Sequence, residues 1–390
     1  MELIVYAPVW GQSGYEQVSR NLLCALDQMG VNIQLHPANE WNNEILGLPS
    51  NMLSRLKRMV NTRVSQVSPT VIYQLPRAQP IHVDAPSICY TLFETDRCPK
   101  PWMDSLMKMD KILVFSEFNR QSWINSGISE YKISALPPAV DSFLYNPEGP
   151  RLMIENARGF KFLCSGDFTE RKNFEAVIEA YCGEFSFKED VTLIFKCHYG
   201  GFTKRYRRDC INKLREIAMC FKPLDTPRIL FWGDKISDHA MATLYRSVDC
   251  FVLASRGEGL GLQYLEAMAS GIPVIACDWG AQTDYLDEMN SFPVKAYLKI
   301  IDDPNYIVKC PQALNSKWCQ VDVDDLRSKM RFVMGGHDGK IGEERRRADI
   351  ALKQVRRFTW QNMAISFIRE VINMYDHKRT AQLNPEMAIA

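Results

Sequence analysis

Short β-branched and apolar runs alternate with longer segments of helical period almost from one end of the chain to the other. A first series of candidate strands falls at 3–6, 32–36, 70–73, 87–92, 111–115 and 132–136. A second falls at 161–165, 191–196, 228–232, 250–254 and 273–276. Between them, segments such as 15–29, 117–126, 172–182, 204–221, 237–246 and 261–270 repeat apolar residues with the period of a helix. Strands linked through helices by short connections pair in parallel, and a parallel sheet needs cover on both faces. The expected fold class is α/β, with two Rossmann-like domains. A chain of 390 residues can bury both cores.

The two series are separated by LPPAVDSFLYNPEGPRL, which is dense in proline and turn residues and reads as an interdomain connection. Domains are therefore expected at 1–150 and 151–358. A last helix, about 359–378, sets Trp360, Ala364, Phe367, Val371 and Tyr375 on one stripe that must dock on a partner surface. The tail from Thr380 is expected to fray.

Charge excludes one class of function. Lys and Arg number 47 against 46 Asp and Glu, so nothing draws the chain as a whole toward nucleic acid. No run of 18 apolar residues occurs, and the opening LIVY is too short for a secretory leader. The twelve cysteines form no C-x-x-C, and Cys164, Cys250 and Cys277 sit inside apolar runs. Buried free thiols in a reducing cytoplasm are the expectation. The dispersed histidines argue against zinc, and no cofactor is expected.

The richest stretch is SRGEGLGLQYLEAMASGIPVIACD, residues 255–278, directly after the strand CFVLA. Carboxyl ends of strands are where open α/β sheets bind ligands. Gly257, Gly259 and Gly261 let backbone approach a ligand closely, and the free N–H groups of a helix starting near Gly261 suit a diphosphate. Glu266, one turn into that helix, is placed to accept from ribose hydroxyls. Glu258, in the glycine turn, can bond sugar hydroxyls or stabilise positive charge. Together these features favour a site over two solvated glutamates.

This stretch resembles the signature of the retaining, GT-B-fold glycosyltransferases of family 4, E-G-x-G-L-x-x-x-E-A-M-A-x-G-x-P-V-I-A. The likeness extends over nearly the whole chain. Gly11-Gln12-Ser13-Gly14-Tyr15 stands at the family's N-terminal glycine loop, and Ser116-Glu117-Phe118 at its "PSEF" segment. Leu136-Pro137-Pro138-Ala139-Val140-Asp141 resembles the "P-x-G-V-D" before the crossover, and Phe358-Thr359-Trp360 the "F-S-W" that opens a last helix returning to the N-terminal domain. The resemblance implies an acceptor-binding first domain and a donor-binding second domain facing each other across a cleft.

It also implies an Arg just after Gly166 and a Lys about five residues on, holding the leaving diphosphate. Lys172 matches. Asp167 stands in place of the Arg, so Arg171 is the candidate for a second cation. Lys235, in the loop Gly233-Asp234-Lys235, falls where the family packs the nucleotide base. Phe93 replaces a family histidine on the acceptor side, leaving Glu94 or Asp96 to orient the acceptor hydroxyl.

Two further signals have plainer readings. Asp322-Val323-Asp324 spells the metal-binding D-x-D of another fold, but it precedes a helix and suits N-capping better. Segment 50–68 carries Arg55, Lys57, Arg58 and Arg63 with no acid, and Leu53, Leu56, Val60, Val64 and Val67 at helical spacing. A solvated basic face is favoured there over a weak peripheral contact with an anionic membrane. The cluster Lys204 to Arg208 is read the same way.

The function expected is metal-independent, retaining transfer of a sugar from a nucleotide donor, such as a UDP- or GDP-sugar, to a hydroxyl of a glycan, lipid or protein. Catalytic candidates are Glu258, Lys172 and Glu94. Donor-binding candidates are Gly11, Gly14, Arg171, Lys172, Lys235, Glu258, Gly259, Gly261, Leu262 and Glu266. The rival readings are a sugar-nucleotide epimerase of the same fold and a noncatalytic nucleotide-sugar binder.

Overall fold

A computed structural model describes residues 1–11, 13–38, 48–76, 85–198, 204–222, 224–234, 236–335 and 342–383. The chain divides into two compact units. Met1–Phe93, Arg97–Ala139 and the segment from Phe358 make the first, and Glu94–Asp96 with Val140–Arg357 make the second.

The first unit holds β1 (Glu2–Ala7), α1 (Gly14–Gln28), β2 (Asn32–Pro37), α2 (Ser50–Asn61), β3 (Thr70–Ile72) and β4 (Ser87–Thr91), then α3 (Met103–Met107), β5 (Lys111–Val114), α4 (Glu117–Ile124) and β6 (Ile133–Ala135). Its six strands form one parallel sheet in the order β2-β1-β3-β4-β5-β6. Leu3, Val5, Ile88, Ile112 and Val114 are buried, as a sheet covered on both faces requires.

The second unit holds β7 (Phe160–Asp167), α5 (Phe174–Glu184), β8 (Val191–His198), α6 (Lys204–Phe221), β9 (Arg228–Trp232), α7 (Asp238–Arg246), β10 (Cys250–Leu253), α8 (Leu262–Ala269), β11 (Val274–Cys277) and β12 (Phe292–Val294). Its parallel sheet runs β12-β11-β10-β7-β8-β9, so strand order reverses between β7 and β10. Such a switch point is where doubly wound sheets leave a crevice at their carboxyl ends.

A two-stranded antiparallel ribbon follows, β13 (Ala296–Ile300) with β14 (Lys317–Val321), enclosing α9 (Pro304–Lys309). Then come α10 (Val323–Val333) and α11 (Glu343–Val355). Asp322 caps α10 through the N–H groups of Asp324 and Asp325, as the D-x-D reading favoured.

Several expectations shift. The second unit starts at Val140, before the expected 150. The reason is local: Arg246, buried on α7, donates to the carbonyls of Leu144, Asn146 and Pro150, tying the proline-rich segment to the second core.

The helix read over 50–68 stops at Asn61, because Thr62 turns extended. Val67 is consequently 72% exposed, while Leu56 and Met59 form the buried face. Arg55 and Arg58 both pair with Asp27 at 2.6 Å, and Arg63 bonds the carbonyls of Val60 and Thr62. Much of the basic face is therefore already engaged. Among the described residues, no helix is long and apolar enough to cross a membrane. Most cysteines are buried free thiols, as expected.

The last helix, α12 (Trp360–Leu383), lies within the first unit and packs on α1. Its buried stripe is Met363, Ala364, Phe367, Val371 and Met374. Tyr375 is 41% exposed and Trp360 only half-buried, so the docking face is rotated from the one read in the sequence. Lys111 on β5 bonds Glu370 at 2.9 Å, and the Tyr90 hydroxyl meets the Met363 sulfur at 3.8 Å. Truncating Phe367, which is 1% exposed, removes the largest apolar group in that face. Phe367→Ala should lower unfolding free energy by about 3 to 5 kcal/mol in a denaturant titration. A loss under about 1 kcal/mol, the size of an ordinary surface change, would contradict the docking face.

Candidate functional site

The switch point of the second unit gathers three chain segments. The first leaves β7: Gly166 takes φ +146°, and a Cβ there would stand 3.2 Å from the Lys172 Cε. Glu170, Arg171 and Lys172 then make one 3-10 turn, and Asn173 adopts the left-handed region (φ 53°) before α5 begins. The cations thus sit in a turn held off the helix rather than in its first turn. Asn173 secures this turn by donating to the Ala254 carbonyl at the end of β10, 3.1 Å away.

The second segment, residues 255–261, runs from β10 to α8. Its backbone is laced to the first, with the Arg256 N–H on the Arg171 carbonyl at 2.8 Å. The third is Glu94–Asp96, bonded to β14 in both directions between Asp96 and Lys317. The Glu94 carbonyl comes so close to Gly257 that a Cβ there would lie 2.1 Å from it, which only glycine permits.

At the centre lies Glu258, 5% exposed. Its Oε1 meets the Lys172 Nζ at 2.6 Å and its Oε2 the Arg171 Nη1 at 3.2 Å. The same Arg171 Nη1 donates to the Gly257 carbonyl at 2.6 Å, and Nη2 lies 3.4 Å from Glu94 Oε1. Burial pushes the Glu258 carboxyl up, but Lys172 and Arg171 outweigh it and hold the group down at about 2. Burial likewise works against the Arg171 charge, and the Glu94 and Glu258 carboxylates overcome it. Two cations and two carboxylates are thereby balanced in a nearly dry pocket.

Gly259, Gly261 and Leu262 continue this arrangement at the start of α8. Gly261 is its N-cap at φ +79°, where a Cβ would collide with Tyr264 and the Tyr285 hydroxyl, 2.7 and 2.8 Å away. The free N–H groups of the first turn present partial positive charge. Glu266 is 8% exposed, and its Oε2 accepts from the Tyr245 hydroxyl at 2.9 Å. The arrangement offers cations, helix N–H groups and an oriented carboxylate on one side of one unit.

The structure brings Arg171, Lys172, Glu258 and Glu94 into contact, and Glu266 lies on α8 of the same unit. Lys235 lies outside the described residues, as do most of the 204–208 side chains and the tail beyond 383. In the first unit, the Gly11 N–H donates to Glu16 Oε1 at 2.6 Å, and a Cβ on Gly11 would strike that carboxylate. Glu16 and Ser13 form a capping box at the start of α1, which Gly14 opens. The Gly11 amide is therefore engaged by its own helix.

Phe93, in the place of the family histidine, is buried against Trp102 with ring centroids 5.0 Å apart, and its carbonyl accepts from Asn119. It is a packing residue. Arg256 was missed altogether: it stacks over Trp318 at 5.0 Å and bonds Gln320, bracing the Glu258 loop on the ribbon. No local pattern marks it, since its partners lie some sixty residues away.

The low Glu258 pKa has a stability consequence. Its ordinary value is 4.5 and its folded value about 2, so this carboxylate stabilises the fold fully above 4.5 and ceases to do so as pH falls toward 2. In Glu258→Gln that part of the acid-side slope should vanish from denaturant midpoints measured between pH 2 and 4.5. Identical slopes in the two proteins would contradict the buried ion cluster.

Comparison with known proteins agrees with this fold. Residues 159–303 match the family model described as Glycosyl transferases group 1. Mannosylfructose-phosphate synthase of Agrobacterium fabrum is 26% identical over 154 residues, which is 38% of this chain and 33% of that protein. The lipopolysaccharide core biosynthesis mannosyltransferase LpsB of Rhizobium meliloti is 50% identical over 54 residues, 14% of each chain. The chain thus matches a third or less of the length of these curated relatives.

Among solved structures, Anabaena Alr3699/HepE in complex with UDP and glucose superposes with a TM-score of 0.65 at 13% identity, covering 96% of this chain and 100% of that one. The two parallel sheets and that superposition make the architecture GT-B. Residues 159–303, which contain Lys172, Glu258 and Glu266, match the Glycosyl transferases group 1 model, and the chain has the GT-B fold.

Proposed function

We infer that the chain is a retaining glycosyltransferase that moves a sugar from a nucleoside-diphosphate donor to an acceptor hydroxyl of a glycan, lipid or protein. The observation that carries this reading is the buried Lys172–Glu258–Arg171 cluster at the switch point, beside the first turn of α8. As the glycosidic bond breaks, the departing diphosphate gains negative charge. Lys172, Arg171 and the N–H groups near Gly259, Gly261 and Leu262 are the groups that would offset it.

Glu258 is paired with both cations. A diphosphate would take over the cations, and the Glu258 carboxylate would become available to the donor sugar's hydroxyls and to positive charge developing at its anomeric carbon. Glu266, already oriented by Tyr245, would accept from the ribose hydroxyls. Glu94, on the far side of Arg171, is assigned to orienting the acceptor hydroxyl. No side chain here is required as a covalent nucleophile: the departing phosphate oxygen takes the acceptor proton on the same face. Every contact invoked is made by this chain's own groups, with no metal.

The direct test is a thermal-shift panel of UDP-, GDP-, ADP- and TDP-sugars, because a ligand of the native state raises its apparent stability. At least one should raise Tm, and that donor should yield glycosylated product with retained anomeric configuration. Lys172→Met should reduce turnover with it by about a thousandfold, the scale of losing a preorganised charge on a leaving group. Sugar nucleotide converted without acceptor would favour an epimerase. Tight donor binding with no product across a broad acceptor panel would favour a noncatalytic binder.

A further inference from the structure

The four charges around Glu258 cancel: Lys172 and Arg171 against Glu258 and Glu94. A nucleoside diphosphate brings more negative charge than that balanced set can offset, and position 167 supplies an acid rather than a base. The sheet holds another cation nearby. Lys196 lies at the carboxyl end of β8, in register with Ser165 of β7 on one side and Trp232 of β9 on the other. Ser165 directly precedes Gly166, the residue over which the Lys172 side chain lies. Successive strand residues face opposite ways, so Lys196 on β8 and Lys172 in the turn after β7 flank the same carboxyl edge from opposite faces of the sheet.

Lys196 is 9% exposed, and among the described residues it makes no hydrogen bond or ion pair. Burial lowers the pKa of its ammonium, opposed by Cys197, Asp234 and Asp167. Asp167 and Asp234 follow β7 and β9, so the charges acting on Lys196 belong to the loops at the carboxyl edge. Burying most of a lysine side chain costs stability that an apolar side chain would not. A strand interior favours Val, Ile or Phe at such a position. A lysine there with no side-chain partner among the described residues has the character of a group awaiting an anion.

We propose that Lys196 is a second donor-diphosphate ligand, reaching from β8 the phosphate that Lys172 approaches from β7. This rests on the nucleotide-sugar reading above. Lys196 adds a third cation to Arg171 and Lys172 at this carboxyl edge of the sheet.

The test compares wild type, Lys196→Met and Lys196→Arg by calorimetric titration with the nucleoside diphosphate of the preferred donor and with the matching nucleoside, which lacks phosphates. Lys196→Met should keep or raise Tm, because it removes a buried charge. It should weaken diphosphate binding by roughly tenfold to a hundredfold, the scale of a hydrogen bond to a charged group. Nucleoside binding should stay unchanged, and Lys196→Arg should retain most of the diphosphate affinity.

Wild-type binding of the diphosphate with equal binding by Lys196→Met would overturn the proposal while leaving the enzyme reading intact. Equal losses for nucleoside and diphosphate would also overturn it, by assigning Lys196 to the base. No diphosphate binding by wild type would overturn the underlying reading itself. Should Lys196→Met fail to fold, the lysine would be structural, and a Lys196→Arg protein that folds but binds no diphosphate would likewise contradict the proposal.

Discussion

A carboxylate closed between two cations organises the second unit. Glu258 is buried, and a buried charge is tolerated only when paired and hydrogen-bonded. Lys172 and Arg171 meet that need from a turn on a different strand, so the ion cluster fixes the approach of β7's loop to β10's loop. Asn173 in its left-handed conformation and the Arg256-to-Arg171 backbone bond serve the same approach. Gly257 and Gly261 are the residues without which the loop could not pass so near Glu94 and Tyr285. The carboxylate thus holds both cations in place beside the N-terminus of α8.

Much of the architecture was legible because strand burial and residue type coincide. LIVY and CFVLA, and KILVF and VTLIFK apart from a lysine at one end of each, are β-branched or apolar, as strands covered on both faces must be. Glu258 and Glu266 were legible because glycines, acids and a following strand occur together within one short stretch. Longer-range features were not. The β13–β14 ribbon has an exposed strand with Tyr297, Leu298 and Ile300 on the surface, which gives no alternating pattern to read. Arg256 and Tyr245 acquire meaning only from partners distant in sequence.

Other readings went astray for local reasons. A helix stripe can be drawn through 360, 364, 367, 371 and 375, and packing kept 364, 367 and 371 but replaced 360 and 375 with 363 and 374, since several apolar residues compete for the same face. The basic segment after residue 50 looked uniformly helical, but Thr62 ends the helix and Asp27, far back on α1, takes up two of its arginines. The connection near residue 140 looked like a linker because it is rich in proline. It is instead held to the second unit by one buried arginine, Arg246.

The central claim is that the cations paired with Glu258 are the diphosphate-holding groups of a sugar-transfer site. A crystal structure of the full chain with a bound nucleoside diphosphate tests it most directly. The account predicts a phosphate oxygen within about 3 Å of the Lys172 Nζ, beside the first turn of α8, with the ribose at Glu266. A nucleotide bound elsewhere on the chain, with Lys172 and Arg171 still closed on Glu258, would contradict it.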